Sequence, residues 1–330
     1  MSNAQYTNFP NGITSMGVPV CGNLFPTQGR YIFVEPSSGI DGNDGLTPAT
    51  AVKTLVQAHS LATSGANDVV VFFSQGNTGS LTTDYQSATL TWSKDSTHLI
   101  GICAPTIYSQ RARIAQLSTA TGISPLMNIT ASNCIFANWS IFHGVADATS
   151  KVCLQVTGQR NYFYNVCIQG IGNATMDVAT ACSLVMSGAS ENTFENCTIG
   201  LDTITRTTST YEVLFQSSAT RNLFKGCMFP TYSGAAGRVF ISANTAASID
   251  RTTEFLNCRF VNAIKSAATQ MTEWGAISSS AGGLFLLNGQ ETTLVGATDW
   301  EANTESGCTY INGAPPVNNT SGLAVLVEAT

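Results

Sequence analysis

Five short segments of the chain align on a phenylalanine: FANWSI from Phe136, FYNVCI from Phe163, FENCTI from Phe194, FKGCMF from Phe224 and FLNCRF from Phe255. Successive copies lie 27, 31, 30 and 31 residues apart. No other feature constrains the chain as much. A unit this short cannot bury a hydrophobic face alone, so copies must stack on one another as a solenoid.

About ten residues before each phenylalanine comes a second apolar run: PLMNIT from Pro125, VCLQVT from Val152, CSLVMS from Cys182, EVLFQS from Glu212 and RVFISA from Arg238. GLFLLNGQETTLVGAT from Gly283 reads as a sixth copy with Leu294 in the phenylalanine slot, and HLIGIC from His98 as an earlier one. Two positions after the apolar residue stand Gly101, Asn138, Asn165, Asn196, Gly226, Asn257 and Gly296. Asn and Gly enter the left-handed region most readily, and one such residue bends a strand and breaks its two-residue alternation. Phe194 then points inward, Asn196 makes a corner, and Cys197 and Ile199 point inward from the next strand. Short strands with one buried face, no helical period and a thirty-residue coil predict an all-β parallel β-helix.

Equivalent strands in such a coil pair about 4.8 Å apart, so like residues stack. Phe136, Phe163, Phe194, Phe224 and Phe255 should form one internal column, and Trp139, Val166, Cys197, Cys227 and Cys258 another. The ten cysteines show no CxxC or Cys/His spacing and read as free, buried thiols behaving as small hydrophobes, with no metal or cofactor implied.

The organisation expected is an extended N-terminal arm over 1–30, a capping segment over 31–97, coils over 98–300 and a C-terminal cap or strand over 301–330. In the capping segment Thr47 caps a helix near 48–63 with Pro48 at its first position. Val52, Leu55, Ala58 and Ala62 line one face and Gly65 ends it, plugging the open end of the solenoid. Asp41, Asn43 and Gly45 suggest a calcium loop, but Val52 stands where a bidentate Glu is needed, so a plain turn is expected. About eight coils are anticipated, with the largest insertion between Asn262 and Gly283. Trp274, within it, is placed at a subunit interface.

Charged residues make up only 10% of the chain, and the net charge is -6. No basic stripe exists to neutralise phosphates, which argues against nucleic-acid binding. The opening residues lack the basic stretch and apolar run of a secretory signal, and no run of eighteen apolar residues occurs, so neither export nor membrane spanning is expected.

The run SSGIDGNDGLTPATAVKTLVQA, a VVVFF strand and the following N-x-F-x-N-C coils resemble the pectin-lyase-like superfamily over about residues 31 to 300. That resemblance implies a right-handed, single-stranded parallel β-helix with an N-terminal capping helix. Within the superfamily, the acidic, threonine-rich, charge-poor style is similar to bacteriophage virion proteins, and QYTNFPNGITSMGVPV resembles their N-terminal arms. The implied function is a non-catalytic virion structural protein, made in the host cytoplasm: a capsid-associated decoration protein, expected as a homotrimer. It would be anchored through Tyr6, Phe9, Ile13, Met16 and Val18 of the arm. The alternative is a tailspike or fibre that binds or cleaves a surface polysaccharide.

Polysaccharide hydrolases of the superfamily use clustered carboxylates on adjacent coils, and the lyases use calcium-binding acids with an Arg or Lys base. The NTD, DD, GHG and RIK signatures are absent here. The column after the phenylalanine reads Ala137, Tyr164, Glu195, Lys225, Leu256 and Val295, so Glu195 has no acidic neighbour in register and an ion pair with Lys225 is expected. His143 has no obvious acidic partner and reads as structural. Asp202, Arg206, Glu212 and Arg221 are the remaining candidates for a carbohydrate cleft.

Overall fold

The computed structural model describes residues 14–15, 18–19, 29–73, 83–208, 210–263, 271–288, 291–300, 308–311 and 325–326. They form a parallel β-solenoid of about seven turns with one short helix. The proposed anchor residues Tyr6, Phe9, Ile13 and Met16, and the side chain of Val18, lie outside the described residues.

Each full coil visits three walls in the same order. One coil runs from Val152–Val156 to Tyr162–Tyr164 and then to Cys167–Gln169. The wall containing Tyr162–Tyr164, called here the phenylalanine wall, begins at Tyr31–Val34 and continues to Cys308–Ile311, with Val325–Leu326 added antiparallel. Pairing is in register: Phe136, Phe163, Phe194, Phe224 and Phe255 are successive partners, preceded by Leu99. Their rings stack at centroid separations of 4.8, 4.3, 4.8 and 4.9 Å. All five are fully buried, and each contributes about 1.5–3 kcal/mol by leaving water.

Six of the expected corner residues are left-handed: Asn138, Asn165, Asn196, Gly226, Asn257 and Gly296 have φ of 58, 51, 54, 62, 53 and 78°. At all five corners that follow a phenylalanine, the corner N–H donates to the carbonyl of an outward residue one coil on, as Asn165 does to Glu195 (3.0 Å), Asn196 to Lys225 (2.9 Å) and Gly226 to Leu256 (2.8 Å). The corner thereby keeps the ladder going while the strand direction changes.

Gly101 differs. It lies inside the strand His98–Ile102 and is not left-handed. The chain leaves the coil only afterwards, and glycine is required because a Cβ there would lie 2.0 Å from the Asn138 carbonyl oxygen of the next coil. The last copy is also displaced by one strand. Leu287 partners Phe255, whereas Leu294 partners Phe260 in the following wall. Gly296 therefore turns a different corner, and Asn288, not Val295, follows Leu256. The supposed insertion supplies this coil's missing wall as Gly275–Ile277, paired to Ile241–Ala243. Trp274 is fully buried rather than at an interface, packed edge-on against Phe255, Phe260 and Phe285 at 5.5–5.9 Å.

The capping helix is split. Thr47 and Pro48 start only a three-residue turn, Pro48–Thr50. The chain then extends, with the Val52 N–H donating to Phe33 O and its carbonyl accepting from Glu35 N, both 2.9 Å. A backbone used this way cannot also be helical. The helix proper, Leu55–Leu61, is capped by Thr54 and ends at Ala62, short of Gly65. Val52, Leu55, Ala58 and Ala62 are nevertheless all buried against the first coils. Asp41 accepts from the N–H groups of Lys53 and Thr54 at 2.9 Å and from the Thr54 hydroxyl at 3.0 Å, holding the helix start, while Asp44 accepts from Leu46 N and the Thr50 hydroxyl. Both carboxylates serve the turn.

Candidate functional site

The proposed cleft residues do not converge. The strand Leu201–Arg206 alternates, so Asp202 is half-buried while Arg206 turns inward. Arg206, Glu212 and Arg238 are all completely buried at the corner between two walls. Glu212 Oε1 takes Arg206 Nη1 at 2.5 Å and Arg238 Nη2 at 3.4 Å, and its Oε2 accepts from the Ser183 hydroxyl at 2.8 Å. Arg238 also donates to the hydroxyls of Thr210 (2.8 Å) and Thr231 (2.5 Å). Burial, and after it the neighbouring Arg206, lower Arg238 to about 10. This closed cluster braces a corner and offers no surface to a substrate. Arg221 sits elsewhere, on Glu191 at 3.3 Å.

Sequence reasoning missed Arg238 as a partner, although Glu212 and Arg238 begin the apolar runs EVLFQS and RVFISA of consecutive copies. It also missed a second left-handed column, Asn133, Arg160, Glu191 and Arg221, with φ from 51 to 59°. Arg and Glu carry no signature for that conformation. Glu191 bridges Arg160 (2.8 Å) and Arg221 (3.3 Å) along this exposed corner.

On the outer phenylalanine wall, Tyr164, Glu195 and Lys225 are in register. Lys225 Nζ reaches Glu195 Oε1 at 3.0 Å and the Tyr162 hydroxyl donates to Oε2 at 2.9 Å. Partial burial raises the Glu195 pKa, but hydrogen bonds from Lys225 and Tyr162 outweigh it and hold the carboxyl below its ordinary range. The Tyr162 hydroxyl is pushed up by burial and by Glu195. Glu195 is thus a neutralised anion, unsuited to donating a proton.

His143 is buried, with Nε2 against Gln116 Oε1 at 2.5 Å; burial holds it down at about 4. The thiols of Cys197, Cys227 and Cys258 donate to the carbonyls of Phe163, Phe194 and Phe224 at 3.3–3.5 Å. Burial raises Cys197 and Cys227 well above the ordinary thiol value, so they are neutral packing groups. Among the described residues no group of three His, Cys, Asp or Glu is placed to hold a metal, and no helix is long and apolar enough to cross a membrane.

Two open grooves occur among the described residues: one of about 600 Å³ at the capping segment, lined by Arg30, Tyr31, Phe33, Leu46, Thr47 and Pro48, and one of about 410 Å³ along the asparagine corner, lined by Pro105, Asn138, Tyr164, Asn165 and Asn196. One bank is built by the segment after Ile102, which crosses neighbouring coils. Gln110 Nε2 donates to Asn165 O at 2.7 Å, Cys167 Sγ to Ile107 O at 3.1 Å and Gln169 Nε2 to Tyr108 O at 2.5 Å. The other bank is Tyr164, 41% exposed and stacked beside Tyr162 at 6.2 Å. Asn165 Nδ2 donates to Asn138 Oδ1 at 2.8 Å, and Asn138 Nδ2 donates to the carbonyls of Gly101 and Cys103. Its chemistry is one aromatic face and several amides, without net charge.

No protein-family model matches the chain, and no curated sequence matches it. Solved structures do. A pectin methylesterase variant in complex with a hexasaccharide superposes with a TM-score of 0.58 at 16% identity, over 88% of this chain and 92% of that one. Pectin methylesterase PemA from Erwinia chrysanthemi gives 0.52 at 17%, over 81% and 80%. A Geobacillus virus E2 protein, ORF18, gives 0.40 at 10%, over 89% and 63%. The likeness to the pectin methylesterases shows the fold, a pectin-lyase-like parallel β-helix.

Proposed function

We propose that the protein is a non-catalytic structural protein of a bacteriophage virion, a capsid-associated decoration protein that assembles as a homotrimer and is held on the particle by residues 1–30. The observation that carries this reading is the state of its carboxylates. Glycoside hydrolysis needs two carboxyl groups facing one bond, one of them protonated. Here Glu195 is committed to Lys225 and Tyr162, Glu191 to two arginines, and Glu212 to a buried cluster. Asp147 and Asp177 accept hydrogen bonds from the loops around them. A chain with only 10% charged residues also has little to keep its long faces apart, which favours association.

A second reading, a tailspike or fibre that binds a surface polysaccharide, is favoured by the exposed Tyr164 beside the corner groove. Co-sedimentation with tailless phage heads, with and without residues 2–28, and a reducing-sugar assay on bacterial polysaccharides separate the two. The structural reading expects head binding that requires residues 2–28, a copy number divisible by three, and no new reducing ends. Sustained release of reducing ends, or head binding that survives the deletion, refutes it.

A further inference from the structure

The geometry points to the asparagine-corner groove as a binding site for neutral saccharide. This deepens the second reading above by naming the sugar class and the residues that hold it, and it does not depend on where on a particle the protein sits.

Two asparagines keep hydrogen-bonding capacity that a continuous ladder would use up. Asn165 Nδ2 is spent on Asn138, but its Oδ1 accepts nothing among the described residues. Asn196 Oδ1 faces the following coil and lies 2.6 Å from where a Cβ on Gly226 would stand, and the glycine there has no side-chain amide to continue the ladder. The exposed Asn196 amide makes no hydrogen bond among the described residues. Asn165 and Asn196 therefore present an acceptor and a complete amide, one coil apart, on the floor of one groove.

The wall supplies the complement. Tyr164 is 41% exposed, with its ring steadied by Tyr162 and its hydroxyl unbonded among the described residues. Tyr162 is itself fixed by Glu195, which Lys225 neutralises. An aromatic face with planar amides at a coil spacing of about 4.8 Å suits a pyranose, whose apolar C–H face stacks on the ring while its hydroxyls meet amides. The residues that line the groove, Pro105, Asn138, Tyr164, Asn165 and Asn196, carry no charge, which favours neutral sugars over uronic acids.

Saturation-transfer NMR and calorimetry with isomaltotetraose, maltotetraose and chitotetraose test this, with tetragalacturonate as the charged comparator. At least one neutral tetrasaccharide is expected to bind saturably with a millimolar Kd and more tightly than tetragalacturonate. Tyr164→Ala should weaken it by about tenfold, and Asn196→Gly, which keeps the left-handed corner while deleting the amide, by about fivefold. Tyr31→Ala, at another exposed tyrosine of the same wall, should leave binding unchanged. The proposal is overturned if none of the three neutral sugars binds, if tetragalacturonate binds best, or if Asn196→Gly and Tyr164→Ala bind as the parent does.

Discussion

Replacing Glu212 by alanine tests the buried ionic corner most directly. The substitution leaves two completely buried guanidinium groups, Arg206 and Arg238, without their shared anion, and removes the acceptor of the Ser183 hydroxyl. Removing one partner of a buried pair costs about 3–5 kcal/mol. The second arginine places this case at the upper end, about 5 kcal/mol. Equilibrium urea unfolding followed by tryptophan fluorescence reads the loss as a shift in midpoint. The comparison variant combines Arg206→Met, Glu212→Leu and Arg238→Met. With no charge left to desolvate, it should lie within about 2 kcal/mol of the parent in either direction. A loss below about 1 kcal/mol for Glu212→Ala, or a triple variant as unstable as the single one, would show that the cluster's electrostatics do not hold the corner.

At the asparagine corner, Asn196→Gly should be nearly neutral in the same assay, whereas Asn196→Val should cost about 1–2 kcal/mol, because a β-branched residue is strained at a φ of 54°; equal effects would refute the conformational argument. Phe194→Ala, which removes the central ring between Phe163 and Phe224, should cost about 3–5 kcal/mol, measured by the same midpoint shift. Burial holds His59 and His143 down at about 4, below the ordinary 6.5, so the stability they contribute is present above pH 6.5 and lost as pH falls through about 4. His59→Gln should flatten that acid limb of the stability profile. Asp84 has the opposite sign: burial raises it to about 6, so its ionisation weakens the fold as pH rises from about 4 through 6, and Asp84→Asn should gain on the parent by about 3 kcal/mol between pH 4 and pH 8.

The period, the inward phenylalanines and the Asn corners are readable from one strand of text because a solenoid coil meets only its neighbours. Local pattern and tertiary contact are then nearly the same information, and Phe163, Phe194 and Phe224 pair as their spacing requires. That correspondence fails wherever a residue's role depends on what covers it. Gly101 looks like a corner in sequence, yet it is a strand residue kept small by the Asn138 carbonyl of the next coil. Leu294 fits the repeat by type, but the pairing of Leu287 with Phe255 shifts the last copy by a strand. Arg206 and Glu212 read as surface charges because nothing local reveals that the chain folds back over them and brings in Arg238 from 26 residues beyond Glu212. The exposed Asn196 amide likewise depends on Gly226, thirty residues on, which offers it no side-chain partner, and the groove depends on the segment near Pro105 that forms the opposite bank. Stacking in register follows from the side-chain pattern of a coil, whereas burial at the corners follows from how segments between strands pack across coils, and only the assembled tertiary structure decides that.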